Sequence, residues 1–182
     1  MEDYLIEFCS PTLASLKVGS LFNYAYTTGR ELMEQLERLN DMLAEKGVFL
    51  RVLRVRKGRA LIYLCRKSQL EALLRRPEIA RFLAQYGYGE LELEQVLWHL
   101  QCRVCCSEEF PHEIGVFLGY PLEDVIGFIR WGGRGSKCSG IWKVYGDANL
   151  AQKLFAQYAK CRSVYRRLWQ GGRSVRQLTV AA

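Results

Sequence analysis

Hydrophobic residues recur at helical spacing early in the chain and at strand spacing just after it. Between Arg30 and Lys46, leucines recur every three or four residues. This pattern predicts an amphipathic helix, with Gly47 as its C-terminal cap. The next stretch, VFLRVLRVRKGRALIYLCR (48–66), contains two β-rich runs joined at Lys57-Gly58, which predicts a β-hairpin. Before the helix, Leu21–Tyr24 has the composition of a short strand.

Helical spacing returns in the middle of the chain. Three segments have it, namely Gln69–Leu74, Glu78–Tyr86 and Glu90–Cys106. Pro111 and Pro121 then each predict the start of a further short helix, since proline is favoured at the first helical position. Residues 68–131 are therefore predicted to form a helical insert.

The C-terminal part has the pattern of strand, helix and strand. Gly140–Tyr145 predicts a strand, Asp147 caps a long helix to about Trp169, and Ser174–Val180 predicts a last strand. Such a unit favours a right-handed crossover with parallel pairing. The chain is thus predicted to be one α/β or α+β domain over residues 1–182. Its small mixed β-sheet would include the hairpin and this C-terminal β-α-β unit, covered by helices.

Composition agrees with a folded domain and narrows the classes of function. The 182 residues are 49% hydrophobic and 25% charged, with only 4 prolines, which argues against disorder. No segment has the roughly 20 uninterrupted apolar residues of a membrane span. The N-terminal sequence MEDYLIEFCS is acidic where a signal peptide is basic, so a cytoplasmic location is expected.

Charge and cysteine content point to anionic partners and to reduced thiols. A formal net charge of +7 favours nucleic acid, phosphorylated or carboxylated small molecules, or a cofactor bearing propionates. An odd number of cysteines, 7, argues against a disulfide framework. Cys102, Cys105 and Cys106 would share one helix face, but their spacing matches neither zinc nor ferredoxin patterns.

The segment FPHEIGVFLGYPLEDVIGFI (110–129) is the first candidate for a functional site. Pro111 at a first helical position would place His112 and Glu113 in the first turn. The helix dipole there favours an acid and holds a histidine neutral, able to accept a proton or to bind a metal ion. A histidine bonded to nearby backbone is the structural alternative. Asp124 would lie in the next first turn, as a ligand contact or as an acid favoured by the dipole alone.

Cys9 is the second candidate. Ser10-Pro11-Thr12 has the pattern of a helix start with Ser10 as N-cap. A thiol at a helix N-terminus is stabilised as the thiolate, which attacks electrophiles and binds soft metals. A buried, unreactive cysteine is the alternative. With His112, Cys9 would make a nucleophile–base pair or a metal-binding pair if the fold brings the two together.

The third candidate is a group of aromatic and basic residues near the glycine-rich loop WGGRGSK (131–137). The loop lacks the spacing of a phosphate-binding P-loop, so a nucleotide triphosphate site of that type is excluded. Beside it, Trp142, Lys143 and Tyr145 have the chemistry to stack on bases or on a flat cofactor. The same residues would also suit the packing face of a strand.

Three blocks, CSPTLASLK (9–17), FPHEIGVFLGYPLEDVIGFI (110–129) and GIWKVY (140–145), resemble an uncharacterised and largely clostridial bacterial family, domain-of-unknown-function family 3793. The likeness runs nearly end to end, and the family has no established activity. The resemblance does not cover the cluster of Cys102, Cys105 and Cys106. Association of such proteins with genes for iron uptake and flavodoxins implies iron or redox physiology. The blocks contain all the candidate site residues, which are Cys9, Lys17, His112, Glu113, Asp124, Trp142, Lys143 and Tyr145.

The leading hypothesis is a protein that binds a small anionic or metal-containing ligand in a cleft. Cys9 and His112 would be the ligand or catalytic groups and Glu113 the orienting acid. Iron or haem is the leading cofactor, because Cys and His are the usual axial ligands and basic residues suit propionates. The remaining contacts to the ligand would be Lys17, Asp124, Trp142, Lys143 and Tyr145.

Two alternatives belong to other classes of function. The first is a thiol-dependent enzyme in which Cys9 is the nucleophile and His112 the base. The second is a nucleic-acid or protein adaptor that uses the basic surface. The net charge supports it and no recognised nucleic-acid motif does.

Overall fold

The computed structural model describes residues 1–89, 92–106 and 109–181. The strands in chain order are β1 (Gly19–Ala25), β2 (Val48–Arg56), β3 (Arg59–Arg66), β4 (Cys138–Ser139) and β5 (Lys143–Val144). The helices are α1 (Glu2–Leu13), α2 (Gly29–Ala44), α3 (Lys67–Leu74), α4 (Pro77–Ala84), α5 (Leu93–Cys106), α6 (Ile114–Phe117), α7 (Leu122–Trp131), α8 (Ala148–Gln170) and α9 (Val175–Leu178). None of these helices is both long and apolar enough to cross a lipid bilayer.

A three-stranded antiparallel sheet in the order β1-β3-β2 organises the fold. The predicted hairpin is confirmed. Lys57 and Gly58 join β2 to β3 with φ of 49° and 71°, the left-handed values that a two-residue hairpin turn requires. The predicted strand at Leu21–Tyr24 is also confirmed and lies within β1.

Helices cover both faces of the sheet because its central strand is apolar on both sides. Side chains of β3 alternate between the faces. Ala60, Ile62 and Leu64 join a core formed with α1 and α2, whereas Leu61, Tyr63 and Cys65 join a second core formed with α5, α6 and α7. A strand buried on both faces reads as a continuous hydrophobic run, as this one does.

The amphipathic helices are confirmed where the leucine spacing predicted them. Helix α2 buries Leu32, Leu36, Leu39 and Leu43, and the side chain of Thr28 caps it by accepting from the amide of Glu31. The helices predicted at 69–74 and 78–86 correspond to α3 and α4. The predicted start of α5 at Glu90 lies outside the described residues.

The predicted C-terminal β-α-β unit is wrong, although the fold class is α+β, one of the two classes expected. Asp147 does cap α8 by accepting from the amide of Leu150 at 3.0 Å. After α8, however, Ser174 and Gln177 form a capping box that starts helix α9. Gly140–Tyr145 contributes only β5, which pairs antiparallel with β4. All strand pairs in the described ranges are therefore antiparallel, and the sheet is not mixed.

The predicted helix start at Ser10 is also wrong, because α1 begins at Glu2. Leu5, Ile6 and Leu13 form a buried stripe at helical spacing that continues past Pro11, the predicted first residue of the helix. Proline in this last turn costs one intrahelical hydrogen bond, and the fully buried Ser10 hydroxyl donates to the carbonyl of Ile6 in the same region. Packing of the stripe outweighs the local signal of Ser10-Pro11.

Arg66 joins the end of β3 to α1 and to the C-terminal segment. Its side chain is only 1% exposed. Its Nε donates to the carbonyl of Thr12 at 2.6 Å, and Nη2 donates to the carbonyls of Leu13 at 2.6 Å and Val180 at 2.8 Å. Burial lowers the pKa of this guanidinium from its ordinary value. The last carbonyls of α1 carry the negative end of the helix dipole, so a cation is favoured there.

Replacement of Arg66 by methionine should therefore destabilise the fold strongly. The Arg66→Met protein would lose three charge-assisted hydrogen bonds, and only the backbone amides of Ser15 and Val180 would still donate to the carbonyls of Thr12 and Leu13. We expect a loss of about 3–5 kcal/mol in the free energy of unfolding. Urea denaturation followed by circular dichroism measures it. Arg59→Met, the same change at the exposed start of the same strand, should alter stability by less than about 0.5 kcal/mol. Equal stability of the two variants would contradict the role assigned to Arg66.

Candidate functional site

A cleft of about 380 Å³ opens between the α6–α7 segment and the β4–β5 hairpin. This volume lies within the range of small-molecule sites. Its polar side chains are those of His112, Asp124, Ser139 and Lys143. The rest of the wall is mainly apolar and aromatic, and includes Phe110, Leu118, Tyr120, Phe128, Ile141 and Trp142.

Trp142 forms a fixed aromatic wall of this cleft. The residue is 8% exposed, and its indole Nε1 donates to Asp124 Oδ2 at 2.7 Å. The indole stacks on the ring of Tyr120 at a centroid distance of 4.7 Å and meets Phe155 edge-on at 4.5 Å. Contacts on several sides leave the ring little freedom, so the predicted ligand contact is also a packed core residue.

Asp124 holds the hairpin against α7. Its buried carboxylate accepts from Trp142 through Oδ2, and its Oδ1 accepts from the backbone amides of Tyr145 at 2.7 Å and Gly146 at 2.8 Å. Three donors compensate the charge, which removes the need for a paired cation. Asp124 lines the cleft, but both of its carboxylate oxygens accept hydrogen bonds that build the wall.

His112 and Lys143 are the two basic side chains of the cleft, and neither makes a side-chain hydrogen bond or ion pair within the described residues. His112 is exposed, and its ring meets the ring of Phe128 edge-on at 4.8 Å. Lys143 is half-buried on β5 and also lies near Phe128, across Gly133. Each polar head therefore stands next to an aromatic wall and is available to a ligand.

Glu113 does not share the cleft with His112. It is 1% exposed and forms an ion pair with Arg103 on α5. Its hydrogen bond raises the pKa of Arg103. Helix α6 begins only at Ile114, so His112 and Glu113 precede the helix instead of forming its first turn. Glu113 attaches this turn to α5, and the structure gives no contact through which it would orient His112.

Cys9 lies within the core between α1 and the sheet, away from the residues that line the cleft. The side chain is completely buried, and burial raises the pKa of its thiol to about 12. The premise of a helix N-terminus that would lower this pKa is wrong, since Cys9 is in the second half of α1. In the described ranges, no group of three His, Cys, Asp or Glu side chains is placed to hold a metal ion.

Lys17 and Tyr145, the last two predicted contacts, lie beside the cleft. Lys17 contacts the ring of Tyr120, with Nζ 5.2 Å from the ring centroid. Tyr145 packs against Gly127 of α7, where a Cβ atom would come within 2.4 Å of its ring. This close approach requires glycine and explains one of the three glycines in the 110–129 segment. Neither residue is among those lining the cleft.

The sequence matches the profile of one protein family. The profile described as "Protein of unknown function (DUF3793)" matches residues 5–179. The chain belongs to this family. No curated protein and no solved structure matches it. The match confirms the resemblance that the three sequence blocks indicated, and the matched range includes the whole cleft.

Several cleft residues escaped sequence reasoning in this member of the DUF3793 family. Phe110 and Phe128 lie within the segment chosen as the candidate site, yet isolated phenylalanines read as core residues. Ser139 and Ile141 read as turn and strand residues, and only the position of the hairpin brings them to the cleft. The signal that was available is the concentration of aromatic residues on both sides of His112.

The Asp124 bonds predict a local effect on the hairpin. In Asp124→Ala the amides of Tyr145 and Gly146 lose their acceptor, so their hydrogen exchange should quicken, and global stability should fall by about 2–4 kcal/mol. Hydrogen-exchange mass spectrometry and urea unfolding measure the two effects. Asp41→Ala, at an exposed site on α2, is the control and should change neither. Unaltered exchange over residues 142–146 in Asp124→Ala would refute the role of this carboxylate.

Thiol reactivity should follow burial. We expect iodoacetamide at pH 7 to label the exposed Cys105 and Cys106 first and to leave Cys9 and Cys65 unlabelled in the native protein. Both buried thiols are inaccessible, and burial raises the pKa of each to about 12. Peptide mapping by mass spectrometry after timed labelling gives the order, and labelling in denaturant confirms that all sites can react. Fastest labelling at Cys9 would restore the nucleophile hypothesis.

Proposed function

We propose that this protein binds a small, mainly aromatic or apolar molecule with one negatively charged group in the cleft around His112 and Lys143. The observation that carries the proposal is the combination of a fixed aromatic wall with two polar heads that make no side-chain bonds among the described residues. A pocket with an apolar lining and a few convergent polar groups is the usual form of a small-molecule site.

The chemistry of the wall indicates the ligand class. The rings of Tyr120, Phe128 and Trp142 favour a flat apolar body, which buries area and stacks against them. Lys143 carries a positive charge and suits a carboxylate, sulfonate or phosphate on that body. His112 at the mouth adds a hydrogen bond to the same ligand or to its polar edge.

Preorganisation favours useful affinity. Trp142 is already held by Asp124, Tyr120 and Phe155, so binding would not have to order it. Ordering a free side chain costs about 0.5–1.5 kcal/mol on binding. The buried bonds of Asp124 therefore serve the proposed site indirectly, by fixing the surface on which the ligand packs.

An organic anion suits the cleft better than iron or haem does. His112 is the cleft side chain with the chemistry of an axial ligand, and Cys9, the partner expected from the sequence, lies in the core. The carboxylate of Asp124 is occupied by three N–H donors. We therefore propose binding without a metal-coordinating role for these residues.

The two alternatives have weaker support. A thiol enzyme would need a reactive Cys9, and its burial removes the basis for one. An adaptor would use the basic surface of α8, where Arg166 and nearby Arg176 of α9 are already paired with Glu7 and Glu45. Exposed charge alone does not specify a partner, whereas the cleft has a defined shape and chemistry.

Binding of 1-anilinonaphthalene-8-sulfonate, a fluorescent aromatic anion, tests the proposal. We expect one saturable site on the native protein, displaced competitively by an aromatic carboxylate. Lys143→Met should raise the Kd about fivefold to tenfold, the effect of roughly 1–1.4 kcal/mol. His112→Ala should raise it less, because His112 lies at the rim.

Lys153→Met is the matched control, since it removes the same charge from an exposed site on α8 outside the cleft. Its Kd should equal that of the unmodified protein. If Lys143→Met and His112→Ala bind the probe as the control does, the ligand site is elsewhere and the proposal fails.

A further inference from the structure

Lys17, beside Tyr120, and Arg162 of α8 form a cationic group whose members do not line the cleft. Lys17 belongs to the loop after α1, and its Nζ lies 5.2 Å from the Tyr120 ring centroid. Arg162 belongs to α8, and its Nε is buried with no hydrogen-bond partner in the described chain. Neither cation forms an ion pair with a described acidic side chain.

Tyr158 brings the two cations together. Its hydroxyl donates to the carbonyl of Leu16 at 3.3 Å, which fixes the loop that carries Lys17 against α8. Tyr158 and Arg162 are four residues apart on that helix and therefore share one face. The position of the pair is thus set by a bond between the loop and the helix.

The electrostatics of the pair are unfavourable without an anion. Burial lowers the pKa of Lys17 to about 8, and the positive charge of Arg162 acts in the same direction. Lys17 is still mainly charged at pH 7. The neighbouring thiols do not supply a negative charge to the two cations. Burial raises the pKa of Cys9 to about 12 and that of Cys161 to about 11, so both thiols are protonated at pH 7. Helix α8 itself contains no acidic residue.

We propose that Lys17 and Arg162 bind a small oxyanion at a site separate from the cleft. A guanidinium and an ammonium side by side supply several donors and two positive charges, which suits a phosphate group and, less strongly, a carboxylate. The unpaired Nε of Arg162 would gain an acceptor, and the repulsion between the two cations would be offset. Occupancy of this site would also steady Tyr120, whose ring stacks on Trp142 of the cleft.

Calorimetric titration with inorganic phosphate, and separately with acetate, tests the site in the full-length protein. We expect saturable phosphate binding that weakens at least about tenfold in Lys17→Met and in Arg162→Met. Saturable binding of acetate alone, lost in the same variants, would identify a carboxylate site instead. Lys160→Met and Arg167→Met remove exposed charges from α8 and should leave the Kd unchanged.

Two further measurements check that the variants fold and that this site is distinct from the cleft. In buffer without phosphate, Arg162→Met should unfold at the same or a higher temperature than the unmodified protein, because like-charge repulsion is relieved; this shows that the variant folds. Lys143→Met, which tests the cleft, should leave phosphate binding intact. Absence of saturable binding to either anion, or equal weakening in the Lys160 and Arg167 controls, overturns the proposed site.

Discussion

The fold depends on a buried guanidinium that has backbone carbonyls as its acceptors. Arg66 ends the central strand at a point where α1 also ends, and it donates to Thr12, Leu13 and Val180. The amide of Val180 donates in turn to the carbonyl of Leu13. The strand, the helix and the C-terminal segment therefore meet in one hydrogen-bonded junction. A charge can remain buried there because the helix end supplies a cluster of oxygens with partial negative charge.

Asp124 is a buried negative charge, and it too is compensated mainly by backbone groups. Its negative charge is surrounded by two backbone amides and an indole N–H instead of a cation. Both buried charges are thus compensated by neutral dipoles fixed in the structure. The buried Glu113, in contrast, is compensated by an ion pair with Arg103. Lys17 and Arg162 form no ion pair with a described acidic side chain, and we propose that an anion compensates them.

Local signals in the sequence were reliable where a single physical cause dominated. The leucine spacing of α2 and the left-handed Lys57-Gly58 turn predicted their elements correctly. Errors arose where two signals competed. Pro11 indicated a helix start, but the buried stripe of Leu5, Ile6 and Leu13 extends α1 from Glu2 to Leu13. Ser174–Val180 has β-branched residues at its ends, but the capping box of Ser174 and Gln177 makes it helical.

The sequence by itself narrowed the fold to α/β or α+β, indicated the family and selected the segment around His112 as the candidate site. The tertiary structure decided which of the candidate residues share a cleft. Trp142 and Asp124 meet across 18 positions, and Arg66 and Val180 meet across 114. Such contacts depend on how helices pack on the sheet, and spacing along the chain does not encode them. Burial, which likewise exists only after packing, separated the buried Cys9 from the exposed His112 and the half-buried Lys143.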